Sequence, residues 1–86
     1  MKADFQLKEG FSSVVTDCRG HEVVLDLPKE MNGTDQGPKA FELLVMSLAG
    51  CIGTIFKMIS EKMHVDVQDI RVELDTEEEA TVNSVS

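Results

Sequence analysis

The side chains here with nucleophilic or redox chemistry are two cysteines in contrasting settings. Cys51 sits in Leu48-Ala49-Gly50-Cys51-Ile52-Gly53-Thr54, a thiol between two glycines in an uncharged stretch, whereas Cys18 lies beside a cation in Asp17-Cys18-Arg19-Gly20. A cysteine attacks, or is oxidised, as its thiolate, which a neighbouring cation, a hydrogen-bond donor or a helix N-terminus favours. One helical turn from Cys51 the sequence offers only Ser47 and Thr54 as polar groups. Any activating charge must come from elsewhere in the fold or from a second subunit. The candidates are Lys8, Arg19, His21, Lys39 and His64, each of which also reads as ordinary solvated surface. Glu42 precedes Cys51 by nine residues, about 900° of helical rotation, and so falls on the opposite side of a helix. As an acid in a first helical turn it already complements the helix dipole.

Taken alone, Cys51 reads first as a packing residue, because free cysteines are among the most buried residue types and this one lies in an apolar helix. Gly50 and Gly53 each cost roughly 1 kcal/mol against alanine in a helix interior, so the pair predicts a kink or a close backbone approach. Cys18 is the one intramolecular disulfide partner available to Cys51, if their Cα atoms come within about 7 Å. No CxxC or Cys/His cluster is present, and Met46, Met58 and Met63 read as core rather than as metal ligands. No cofactor or metal is expected.

The elements that position these residues follow from periodicity. Ala3, Phe5 and Leu7 alternate with polar residues, Glu9-Gly10 turns, and Phe11 to Thr16 returns with β-branched Val14 and Val15, which predicts a hairpin. After the turn at residues 17–20, His21 to Leu27 places Val23, Leu25 and Leu27 on one face of a third antiparallel strand. Pro28 to Pro38 has the glycine, proline and Asx content of a loop. The next 25 or so residues, KAFELLVMSLAGCIGTIFKMISEKM, contain no proline and are apolar nearly all the way round, which predicts a long buried helix. From Val65 the period changes to two, with Ile70, Val72 and Leu74 alternating with Arg71, Glu73 and Asp75; a strand, an acidic turn and a return strand over residues 80–86 are expected. The sequence stops within that return strand, an edge to be covered by exchange with a second copy or by further chain.

With 86 residues there is room for a single domain, and a chain of this length buries only about 60 to 65% of its unfolded surface. A partner is therefore expected. Sixteen acidic against eight basic residues give a charge of −8, which disfavours nucleic acid and anionic membrane surfaces. The longest uncharged run, Leu43 to Phe56, suits a buried helix better than a membrane span. Two cysteines without a disulfide framework, and no apolar signal region in MKADFQLKEG, point to a reducing, cytoplasmic setting.

The stretch GPKAFELLVMSLAGCIGTIFKMI, with GHEVVLD upstream, resembles the OsmC-like family, which includes osmotically inducible protein C and the organic hydroperoxide resistance proteins. The family's characteristic run is roughly GPxPxELLLAALxxC, and Gly37, Pro38, Glu42, Leu43, Leu44, Ala49 and Cys51 stand in the matching places, with Ala40 where a second proline is usual. The resemblance covers residues 10 to 75 or so, about the first half to two thirds of a typical member. It implies an α+β fold in which N-terminal antiparallel strands, a long buried central helix and a following β-hairpin belong to an interwound dimer. It also implies that Cys51 attacks an organic hydroperoxide, becomes a sulfenic acid, and is restored by thiols.

The departures are specific. The first hairpin turn reads Lys8-Glu9-Gly10, without the arginine of the hydroperoxide resistance proteins. Their catalytic glutamate falls at Phe41 here, with Glu42 one place later as in the less characterised OsmC-like branch, and a resolving cysteine would lie beyond residue 86. The expectation is a single OsmC-like domain over residues 1–86, lacking the family's C-terminal part. Its function would be a cysteine-dependent peroxidase or redox protein using Cys51, with Glu42, Arg19 and Lys8 in support. It would work as a cytoplasmic homodimer on an organic hydroperoxide with an external thiol or dithiol reductant, and without cofactor, nucleic acid or membrane. The alternative is a non-catalytic, stress-associated dimer that holds a hydrophobic ligand in its interface cleft, with Cys51 as packing.

Overall fold

The computed structural model describes residues 1–76. They fall into two compact units, Met1–Met46 and a second beginning at Ser47. The class is α+β: a three-stranded antiparallel sheet followed by one long helix.

In the first unit β1 (Asp4–Glu9), β2 (Ser12–Thr16) and β3 (Glu22–Leu25) lie in sequence order. Phe5 pairs with Val15 and Val15 with Val23, while Leu7 pairs with Ser13 and Ser13 with Leu25. Because cross-strand partners share a face, this register gathers Phe5, Leu7, Val15, Val23 and Leu25 on one side of the sheet. The alternation seen in the sequence is therefore realised strand by strand. A bulge between Leu7 and Glu9 leads into the turn, where Gly10 takes a φ of 59° that a side chain would resist.

β3 ends at Leu25, two residues before the expected limit, because Asp26 leaves the strand pattern. The main chain beyond it, including a single 3-10 turn at Lys29–Met31, folds back along the outer side of β3. The Asp26 N–H donates to Pro38 O at 3.1 Å and the Asp35 N–H to Leu27 O at 3.0 Å. The approach is close enough to require glycine twice: a Cβ at Gly37 would collide with Val24 O, and one at Gly33 with Leu27 O. The Gly37-Pro38 pair thus has a backbone reason for its composition.

The helix α1 (Ala40–Lys62) runs unbroken through both glycines. Its start is Lys39, whose carbonyl accepts from Leu43 N at 3.0 Å, and whose N–H donates to Glu42 Oε1 at 2.8 Å. That is the glutamate half of a capping box.

In the second unit, α1 closes with His64 in the left-handed region at φ 57°. Val65 N donates to Ser60 O at 2.9 Å and His64 N to Glu61 O at 3.1 Å, the paired bonds of a Schellman motif. Residues 65–76 then run back beside the helix, held by Lys57 Nζ donating to Val67 O at 2.9 Å. The strand expected over Val65 to Leu74 is not seen: among the described residues these carry no ladder. Alternation supplies a strand with a face but not with a partner, and the expected return strand lies outside the described residues.

The helix was expected to be buried, yet Ser60 is its one buried residue. Leu44, Met46, Leu48, Ile52, Ile55, Phe56, Met58 and Ile59 are exposed in the single chain. Among the described residues α1 is the one long helix, and a chain this short supplies few apolar surfaces to lay against every side of it. By length and composition α1 would also suffice to cross a membrane. Its uncharged run of residues 43–56, however, spans only about 21 Å against a hydrocarbon core of roughly 30 Å.

Candidate functional site

Cys51 lies in the second unit, at the middle of α1, as a free and exposed thiol. Next to it on the helix is an open cleft of about 510 Å³ lined by Gly50, Gly53, Thr54, Lys57, Ile70 and Val72 among others. The sequence assigns Gly53 to a close approach, and Val72 does pass over it, with Cγ2 3.6 Å from where a Cβ would be. That is ordinary contact, which alanine would tolerate. A Cβ at Gly50 would meet nothing within 4 Å among the described residues, so neither a kink nor a close neighbour there accounts for it.

The supporting residues proposed from sequence lie in the first unit, each with a local partner. Glu42 caps the start of α1 through the Lys39 N–H, which is the structural role open to a helix-start acid. Lys8 reaches Gln6 Oε1 at 3.4 Å, a long bond at the surface of β1. Arg19 sits in the β2–β3 turn with its Nη1 3.9 Å from Asp17 Oδ2. His21 Nδ1 is 2.6 Å from the same oxygen.

Asp17 organises that turn, a role the sequence reading gave to no residue. Its Oδ1 accepts from Arg19 N at 2.8 Å and His21 N at 3.3 Å, and these bonds, with the His21 ring, hold its carboxyl below the usual value. Cys18, in the same turn, takes a φ of 64°, is exposed, and donates its N–H to Thr16 Oγ1 at 3.0 Å. Both cysteines are free thiols, so the open question of a bridge between them is answered in the negative for this structure.

A second carboxylate outside the sequence reading is Asp26, 2% exposed. Thr34 Oγ1 donates to its Oδ2 at 2.6 Å and Gln36 N at 3.2 Å, while Leu27 N donates to its Oδ1 at 2.7 Å. The Thr34 hydroxyl foremost, then these amides, keep its carboxyl ionised below the usual range against the cost of burial. The one trace in the sequence was an acid interrupting Val23-Val24-Leu25-Asp26-Leu27 where the alternation calls for a side chain on the opposite face. Lys57, the first charge after the uncharged run of α1 and expected to complement the C-terminal end of the helix dipole, also lines the cleft beside Cys51.

Among the described residues no group of three His, Cys, Asp or Glu side chains is placed to hold a metal. What remains for chemistry is an accessible thiol on a long apolar helix, preceded in the chain by an antiparallel sheet and a glycine-proline crossing. An α+β chain of this layout is the class of protein that a comparison with family models then narrows. Residues 33–85 match the model described as OsmC-like protein, well over half of the 86, and the chain belongs to the OsmC-like family. The match contains Gly37, Pro38, Glu42 and Cys51 but begins after GHEVVLD, so the family assignment rests on the crossing, the helix and the residues C-terminal to it. Comparisons with curated proteins and with solved structures return no match.

Proposed function

We propose that this OsmC-like protein is a thiol-dependent reductant of organic hydroperoxides, with Cys51 as the attacking residue. The observation that carries the reading is an exposed free thiol within the stretch that matches a family which includes peroxidase-type members. In the reaction the Cys51 thiolate attacks one peroxide oxygen, forming an S–O bond as the O–O bond breaks. The leaving alkoxide takes up a proton and departs as the alcohol, and Cys51 becomes a sulfenic acid. One external thiol condenses with that sulfenic acid, releasing water and forming a mixed disulfide. A second thiol then displaces the first as a disulfide and restores Cys51.

The cation that steadies the thiolate and the leaving oxygen is Arg19 or Lys8, contributed across a homodimer, with Glu42 orienting it. A dimer also gives the exposed apolar side chains of α1 a surface to cover. With two free thiols the natural setting is a reducing one, which we take to be the cytoplasm.

The test is the rate of sulfenic acid formation with cumene hydroperoxide and with hydrogen peroxide, in the wild type, Cys51→Ser and Cys18→Ser. Oxidation well above that of a free thiol, faster with the organic peroxide and lost in Cys51→Ser alone, is the expected result. Arg19→Ala, or Lys8→Ala if the lysine is the cation, lowers the rate about a hundredfold. A wild-type rate equal to that of a free thiol overturns the proposal. It would leave the reading in which the apolar surface of α1 forms part of a cleft for a hydrophobic ligand, a reading that the exposure of Met58, Ile55 and Phe56 favours.

A further inference from the structure

We infer that Asp26 is a positioning residue: its carboxylate is a charge-selective clasp that fixes the crossing of residues 27–38 and, through it, the start of α1 that carries Glu42. One side chain and its own backbone hold the crossing at four points. Its oxygens accept from Leu27 at the beginning, Thr34 in the middle and Gln36 near the end, and its N–H donates to Pro38 O two residues before α1. No other residue of the described crossing ties so many of its positions together. The crossing in turn lies too close to β3 at Gly37, and to its own beginning at Leu27 at Gly33, to shift without displacing backbone. Lys39 follows Pro38 directly, so the point at which the Glu42 cap forms is set by the clasp.

The selectivity for a carboxylate follows from its neighbours. Every group that points at it is a donor, and the main-chain amides among them, Leu27 and Gln36 included, cannot become acceptors. A carboxylate meets them with acceptors alone. An asparagine of the same shape would turn an NH₂ group toward one of these amides, leaving two donors facing each other in a buried place. The charge is carried there without a cationic partner among its hydrogen bonds, which is tolerated because every contact donates to it.

The expected signature is local loosening with the sheet intact. In Asp26→Asn, amide hydrogen exchange at Leu27, Asp35 and Gln36 accelerates at least tenfold, while Val14 and Val15 of β2 keep their protection. Thr34→Val produces the same pattern at smaller amplitude, and Thr34→Ser, which restores the hydroxyl donor, returns it to the wild-type level. Should Asp26→Asn fail to fold, the two Thr34 variants carry the test alone. Unchanged exchange in Asp26→Asn, or equal exchange in Thr34→Val and Thr34→Ser, overturns the clasp.

The link to Glu42 rests on the peroxidase reading and has its own measurement, the second-order rate of Cys51 oxidation by cumene hydroperoxide. Asp26→Asn and Glu42→Gln should each lower it at least fivefold, and the double variant should lower it no further than Glu42→Gln alone. Additive losses, or no loss in Asp26→Asn, overturn the positioning role. A wild-type rate no faster than a free thiol would defeat the peroxidase reading and, with it, this link, while the exchange experiment would still decide the clasp.

Discussion

Asp17 and Asp26 are both carboxylates that accept hydrogen bonds from main-chain N–H groups, and acid therefore acts on them in the same direction. Each is held below its ordinary value of 3.8 in the folded chain, so the stability each contributes is fully present above that value. It is lost as the pH falls from about 4 through the lowered folded value, since the unfolded chain takes up the proton first. Urea unfolding from pH 7 to pH 3 should show this decline, and it should be shallower in Asp17→Asn and in Asp26→Asn than in the wild type. At this scale the sequence was informative about identity and silent about arrangement. Cys51 and the first-turn position of Glu42 could be read from spacing, and the glutamate does cap the helix. That Asp17 would draw Arg19 and His21 to itself, or that Asp26 would be buried, depends on where a turn and a crossing bring donors together. Neither is encoded in period or composition.

At the scale of elements, strands β1 to β3 and the bounds of α1 emerged from alternation and from the loss of proline, because each is specified by contacts within some twenty residues. The segment after α1 did not, since its ladder needs a partner that alternation cannot name. Two substitutions separate local from assembled reasons for the helix. His64 adopts a left-handed C-terminal conformation that costs a non-glycine residue about 1 kcal/mol, so His64→Gly should stabilise the chain by up to that amount in urea unfolding. Gly53→Ala should likewise gain about 0.5 to 1 kcal/mol, since Val72 leaves room for the methyl group. Gly50→Ala is the discriminating case. With open space around Gly50 in the single chain it should stabilise by a similar amount, and a loss of stability that grows with protein concentration would place a second copy against that glycine.

For the whole molecule the governing facts are a largely uncovered apolar helix and a net charge of −8. The first favours association and the second opposes it between like copies, and they respond differently to salt. Screening weakens the repulsion and leaves the hydrophobic term in place. Sedimentation equilibrium at micromolar concentration should therefore give a mass near twice the 9.5 kDa of one chain, with the dissociation constant falling as sodium chloride is raised from 20 to 300 mM. A monomer at every salt concentration would remove the dimer on which the cation in trans depends. The expectation of a partner rests on chain length and on the exposed helix together. That the side chains of α1 would be largely exposed in the single chain was not legible in the sequence, because hydropathy gives a helix its apolar faces without naming what covers them.

The crossing that folds along β3 also decides how copies of the sheet can join. From Val24 onward, the outward carbonyl and N–H groups of that strand and its continuation face Gly37 and Pro38 of the same chain. Among the described strands this leaves β1 as the open edge, and β1 is interrupted by its own bulge. A sheet with two free sides can take up further copies indefinitely and grow into a fibre. One with a single free side is finished once that side has met its like, so lateral pairing through β1 would terminate at two chains.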